Sequence, residues 1–385
     1  MTSVAAPVLP WGEVWGQDAA VDILRTAASD DAALAHGWLI TGPPGSGRSV
    51  LARAFAAALI AEGEGDENTM RQVLAGTHPD LTVLKTEGVV IKIEDARALA
   101  ARSYLSPAAG RHRVMLVEDV DRMPERTSNV LLKALEEPPP ETVWLLCAPS
   151  DADLLPTIRS RVRVLRLREP EVADVAALLR QRTDIDEASA EQAARLAQRH
   201  IGMAQRLATD AAARDRRDAT LRAVMRVRSV TDVVDVAAEI VAAATDDAKT
   251  LTGERDETER ASLLRTVGVE EGGRIPPAVR SQLNALEEDQ KRRAKRSLHD
   301  GIDRVLTDLQ SLYRDVIMLQ LGRDDSLINF ELADDLRRIA SVWKPERTLV
   351  VLDDLADTRA AIERNVQPAL ALESLLVTIL SGRKP

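Results

Sequence analysis

Residues 42–49 read GPPGSGRS, directly after the apolar run GWLIT (37–41) and directly before the alanine-rich run SVLARAFAAALIA (49–61). No other stretch restricts the fold as much. Strand, glycine loop and helix in that order bring backbone N–H groups round a phosphate, and Gly42, Gly45 and Gly47 give the loop its tight path. Pro43, Pro44 and Ser46 complete the candidate nucleotide-binding set. The pattern ends in a lysine and a hydroxyl. Ser49 supplies the hydroxyl, but Arg48 stands in the lysine's place. A guanidinium is a wide planar fork and an ammonium a compact point charge, so damaged hydrolytic chemistry is expected.

Arg113–Val117 (RVMLV) and Val143–Ala148 (VWLLCA) are short apolar runs, as in strands buried on both faces, and Leu81–Lys85 reads as a further extended segment. Their alternation with helical runs predicts a doubly wound α/β domain, with ligands at the carboxyl ends of parallel strands. The glycine loop and the acids Glu118, Asp119 and Asp121 all fall at such ends. Glu62–Thr77 reads as a polar, glycine-rich link. Beyond about Arg168 the strand signals stop, and Glu171–Arg182, Ala188–His200 and Gly202–Ala213 read as short helices.

A helical portion follows from residue 214. Its clearest helix carries Ile302, Val305, Leu306, Leu309, Leu312, Tyr313, Val316 and Ile317 on one face, available for packing within the domain or between subunits. The run Glu287–Arg296 (EEDQKRRAKR) reads as a solvated helix face or linker rather than a DNA-binding patch. The predicted division is 1–168, 169–213 and 214–385, the last with a charged insertion around 245–300.

Lysine and arginine number 51 against 61 acids, a formal charge of −10, which excludes a strongly basic nucleic-acid footprint. Any work on DNA is expected to go through partners. Cys147 is the only cysteine, so an internal disulfide and a cysteine zinc site are excluded, which suits a reducing, cytoplasmic compartment. The start of the chain lacks a signal-peptide pattern, and no run approaches the roughly 18 apolar residues of a membrane span. His36, His112, His200 and His299 show no metal-ligand spacing.

In a working ATPase of this architecture the strand before the acids ends in an aspartate that orders magnesium, followed by a glutamate that polarises water. Here Glu118 precedes Asp119. The reversal displaces both carboxylates by about an ångström, enough to matter for catalysis.

The segments NVLLKALEEPPP (129–140), TIRSR (157–161) and NVQPALALESLL (365–376), with Gly16–Gln17 and His78–Pro79–Asp80, resemble the bacterial clamp-loader subunits of the AAA+ class. The resemblance covers almost the whole chain, and LLKALEEPP is far more specific than a phosphate loop alone. Within the family the delta-prime kind is the nearer match and the gamma/tau kind the rival. The implied fold is a doubly wound nucleotide domain, a small helical lid and a C-terminal helical collar.

That resemblance assigns Gly42–Ser49 to the nucleotide loop and Glu118–Asp119 to the magnesium and catalytic acids. Ala148 falls where ATPase members carry a threonine or asparagine that senses the γ phosphate, and Gln205, beside Arg206, where the lid carries an arginine. Ser160–Arg161 matches a Ser-Arg-Cys motif whose arginine acts in trans at the next subunit's ATP site, with Val162 in place of the cysteine. Arg159, Arg163, Arg166 and Arg168 fit a strand with one solvated face. Relatives carry a four-cysteine zinc module, but Ala61–Thr77 holds no cysteine, so no zinc is expected and His78 reads as a turn residue.

The implied cofactor is ATP with magnesium at Ser49 and Glu118; whether this loop still binds it stays open. The implied partners are the gamma/tau and delta subunits of a hetero-oligomer and, through the assembled complex, the sliding clamp and primed DNA, with no membrane. The implied role is a stator that completes the ring and lends Arg161 to a neighbouring ATPase, its own hydrolysis weak or absent. The alternatives are a gamma/tau-like motor and an AAA+ scaffold outside replication.

Overall fold

The computed structural model describes residues 11–382 apart from 13, 64–65, 87–89, 267–276 and 325–326. The chain divides into two compact units, one reaching to Thr209 and one starting at Asp210.

The first unit is built on five parallel strands: β1 (Gly37–Thr41), β2 (Leu81–Leu84), β3 (Arg113–Val117), β4 (Thr142–Ala148) and β5 (Arg163–Arg166). Their order is β2-β3-β4-β1-β5. Every residue of β1, β3 and β4 is buried, because helices cover both faces. Successive strand side chains point to opposite faces. Trp38, Ile40, Val114, Leu116, Leu145 and Cys147 pack with α1 (Asp18–Ser29), α2 (Arg48–Ile60) and α3 (Glu67–Leu74). Leu39, Met115, Val117, Trp144, Leu146 and Ala148 pack with α4 (Ile93–Ser103), α5 (Glu125–Glu136) and α6 (Pro156–Arg159). The doubly wound expectation is met. In β5 Leu165 is buried while Arg163 and Arg166 are exposed, but these two arginines point to opposite faces of the strand, Arg159 ends α6 and Arg168 follows β5, so the single solvated face expected of the four is not formed.

Two segments differ from the sequence reading. The polar link 62–77 contains α3, whose start is capped by the Asp66 carboxylate accepting from the Thr69 N–H at 3.1 Å. Met70 and Val73 are its buried residues, too few for a visible period. The predicted 202–213 helix is two: α9 (Ile201–Thr209) stops, and Asp210 caps α10 (Ala211–Arg226) by accepting from the Ala213 N–H. Before α9 lie α7 (Val172–Arg182) and α8 (Glu187–Leu196).

Two quoted signatures prove to be anchors. Gln17 is buried and its amide makes a reciprocal pair with the backbone of Arg168 after β5, at 2.9 and 3.2 Å. Asp80 is fully buried and accepts from the N–H groups of Ala108, Ala109 and Gly110 at 2.6–2.8 Å. Burial alone pushes the Asp80 carboxyl up, but these amides and Arg113 outweigh it and hold it below the usual carboxylate range. His78 accepts from the Asp80 N–H within the same turn.

The second unit is helical: α10, α11 (Val230–Thr266), α12 (Pro277–Gln320), α13 (Ala333–Val342), α14 (Pro345–Glu363) and α15 (Pro368–Ser381). Of the predicted stripe, Ile302, Leu306, Leu309, Leu312, Tyr313 and Val316 are buried in this unit's own core, against Leu372, Leu376 and Ile379 among others. That face is used inside the unit. The charged run 287–296 lies within α12, and α11 and α12 form a long antiparallel hairpin. At 37 residues α11 is about 55 Å long. Across the hairpin Arg293 reaches Asp256 and Glu259 at 2.5 and 3.0 Å, and Arg260 reaches Glu287 at 2.9 Å. No helix among the described residues is long and apolar enough to cross a membrane.

Candidate functional site

The glycine loop leaves the carboxyl end of β1 and enters α2 through Gly47, which sits in the left-handed region (φ +89°) as the helix N-cap. The N-terminal amides of α2 thus open toward the loop, the standard provision for an anion. Ser46 Oγ is buried with no hydrogen-bond partner among the described residues, the kind of orphan a phosphate oxygen satisfies. The backbone therefore fits a phosphate.

The side chains do something else. Arg48 turns back and donates from Nη1 to the Gly42 carbonyl at 2.7 Å, closing the loop on itself. Gly45 (φ +80°) lies against His200 at the start of α9. A Cβ there would stand 2.4 Å from the imidazole Cγ and 2.7 Å from the His200 Cα. His200 Nδ1 in turn accepts from the Met203 N–H. The first turn of α9 is thus seated on the loop.

Glu118 follows β3 and is buried, with 5% of its side chain exposed. Arg53 on α2 holds its Oε1 from Nε and Nη2 at 3.0 and 2.7 Å, and Lys85 approaches Oε2 at 3.5 Å. A carboxylate with cations on both oxygens does not fit a metal-ordering acid. Asp119 opens the 3-10 turn Val120–Arg122. Within that turn burial raises the Asp121 carboxyl, and the charge of Asp119 adds to the effect. Cys147 is pushed up to about 12, first by burial and then by Glu118, so it is an inert thiol of the core. Ala148 ends β4, paired with Thr41, and offers no hydrogen-bonding side chain. Gln205 lies on α9, half-buried.

Ser160 and Arg161 follow the short α6, away from this loop, in a surface cleft of about 690 Å³ lined by His36, Leu135, Glu136 and residues 160–163. Arg161 Nη1 donates to the Thr157 carbonyl at 2.6 Å and to Ser160 Oγ at 3.0 Å. Its Nη2 meets Glu136 Oε1 at 2.5 Å, and its side chain is 32% exposed. Ser160 Oγ itself donates to Thr157 O. Arg163 stacks on the Trp38 ring at 4.9 Å, Arg166 pairs with Asp151 and Arg168 with Asp174.

The sequence reading missed Arg53, Lys85, His200 and Glu136. Arg53 was detectable, since it stands four residues after Ser49 and so shares its helix face. Glu136 was quoted within LEEPP without a role. No group of three or more histidine, cysteine, aspartate or glutamate side chains able to hold a metal occurs among the described residues.

A parallel sheet of this order, with a glycine loop after β1 and short helices after β5, has the fold of the AAA+ nucleotide-binding class. A family described as DNA polymerase III, delta subunit, matches residues 16–171, and another, DNA polymerase III, delta subunit, C terminal, matches residues 281–380. The chain belongs to the bacterial DNA polymerase III clamp-loader subunits. It is 33% identical to the DNA polymerase III subunit delta' of Pseudomonas aeruginosa over 40% of this chain and 47% of that one. Against the subunit gamma of Buchnera aphidicola it is 32% identical over 34% of this chain and 38% of that one. The chain therefore spans less than half the length of these relatives. A solved gamma subunit-related protein of Thermotoga maritima aligns over 94% of this chain and 99% of its own, at 15% identity and a TM-score of 0.45.

Proposed function

We propose that this chain is a delta-prime-type stator: it completes the clamp-loader ring, hydrolyses no ATP itself and lends Arg161 to the ATP site of an adjacent subunit. The carrying observation is the contrast between its two arginines. Arg48 is spent on its own loop's Gly42 carbonyl, whereas Arg161 stands in an open surface cleft. The occupied Glu118 points the same way, because an acid paired with Arg53 and Lys85 is not available to order magnesium.

A phosphoryl group in transfer gathers charge on its peripheral oxygens, and an arginine entering from a neighbour offsets it. On this reading Ser160 positions Arg161. The partners are the gamma/tau and delta subunits, and the assembled ring acts on the sliding clamp and primed DNA. ATP with magnesium belongs to the neighbour's site; the loop here retains a backbone cradle for phosphate without the acids for hydrolysis.

Relatives named gamma, tau or gamma/tau match at 28–33% identity, close to the 33–34% of those named delta'. The motor reading they favour requires a phosphate-facing cation, which Arg48 in its observed position is not. The test is a reconstituted loader carrying Arg161→Ala or Arg48→Ala. The stator reading expects the first to lose clamp- and DNA-stimulated ATPase and the second to keep it. The reverse pattern would make this subunit the motor.

A further inference from the structure

Glu136 is the last residue of α5, and Glu137 follows as its C-cap. The carbonyl end of a helix carries partial negative charge and favours lysine, arginine or histidine there. A carboxylate at this position gains nothing from its own helix. What it does contact is Arg161, at 2.5 Å. The other two acceptors of that guanidinium, Thr157 O and Ser160 Oγ, lie within four residues of it and are neutral. Glu136 is therefore the one charged group among the contacts described for Arg161. It comes from a different element, at the rim of the same cleft.

Resting on the trans-arginine reading, we propose that Glu136 is a positioning residue that gates Arg161: it occupies Nη2 as an internal stand-in for the neighbour's phosphate and yields to it when the nucleotide arrives. The chemistry of the exchange is one anion for another. The Thr157 and Ser160 contacts fix Nη1, so the fork keeps its direction while Nη2 changes partner. The pair is partly exposed, with 32% of the arginine side chain and 46% of the glutamate accessible. Such a pair is weak enough to be displaced by a polyphosphate. It also lowers the attraction between subunits until a triphosphate competes for the arginine.

The experiment uses the full chain in a reconstituted loader, with ATPase measured against ATP concentration, with and without clamp and primed DNA. Glu136→Gln keeps shape and removes the charge. The expected result is a fall in KM for ATP of about three-fold, the scale of an exposed ion pair, with a rise in unstimulated turnover and an unchanged stimulated kcat. In the Arg161→Ala background the same substitution is expected to do nothing.

A wild-type KM and unstimulated rate for Glu136→Gln would overturn the proposal. So would a loss of stimulated kcat with no change in KM, since that marks a merely structural support. Arg161→Ala separates the two levels. If it is silent, the stator reading itself fails; if it is damaging while Glu136→Gln is silent, only the gating role fails.

Discussion

The guanidiniums of Arg48 and Arg161 belong to one unit and differ in what holds them. Arg48 reaches six residues back to a carbonyl of its own loop, inside a region covered by the first turn of α9. Arg161 is held by a backbone oxygen, a hydroxyl and a half-exposed carboxylate, in a cleft open to solvent. The acceptor of Arg48 is a neutral carbonyl of the same loop, while the charged acceptor of Arg161 is an exposed carboxylate, which another anion can replace. The same side chain is thereby fixed as structure in one place and kept available in the other. What decides its use is the replaceability of its acceptors.

That comparison can be broken most decisively at Arg161. With the neighbouring sites inactivated in turn, Arg161→Ala should lower turnover at one of them by about 10³-fold or more. Arg161→Lys should rescue poorly, because an ammonium lacks the fork. Normal turnover at every site would end the contrast.

Next comes Glu118. As half of a buried ion pair it should cost about 1–3 kcal/mol of stability when changed to glutamine, read by urea or thermal unfolding, and leave the loader's ATPase intact. An acid serving a metal would behave in the opposite way, silent in unfolding and severe in turnover.

Arg48→Ala should change the loader's stimulated rate by less than about two-fold, because the cation contacts the chain itself; the mutational cost of one such hydrogen bond is about 1 kcal/mol of stability. Arg48→Lys should fail to restore hydrolysis, since Glu118 stays occupied.

The smallest effect is at Asp121. Burial raises its folded-state carboxyl above the unfolded value, so the charged form is penalised only in the folded chain. Asp121→Asn should therefore raise the melting temperature at neutral pH. The gain should shrink as pH falls through the raised folded value and vanish below the ordinary carboxylate value of about 3.9. A gain that grew toward acid would contradict the burial argument.

How much of this was legible in the sequence follows from range. The strands β1, β3 and β4 were legible because continuous apolar runs next to glycine or acids are local signals. The glycine loop, Glu118–Asp119, Ala148 and Ser160–Arg161 were placed by motif and spacing. The partners of those residues were not. Arg53 and Glu118 are 65 positions apart, and Arg161 and Glu136 are brought together only by the packing of α5 and α6 on the sheet. Helix α3 escaped because Met70 and Val73 are its only buried residues, and the C-terminal stripe was legible as a face but not as to its occupant.

The α11–α12 hairpin has a consequence for how this unit responds to its solution. Near the core, Ile240 and Ile302 are dry and held by apolar contact. Farther out, beside Leu283 and Thr252, the two helices are joined by Arg260–Glu287 and by Arg293 to Asp256 and Glu259. Apolar contact is not weakened by screening, but ion pairs weaken as the screening length falls to about 8 Å at physiological ionic strength. Amide exchange should accordingly quicken along the hairpin with distance from the core, and added salt should steepen that gradient. Ionic strength would then set how firmly the two helices are held together beyond the apolar core.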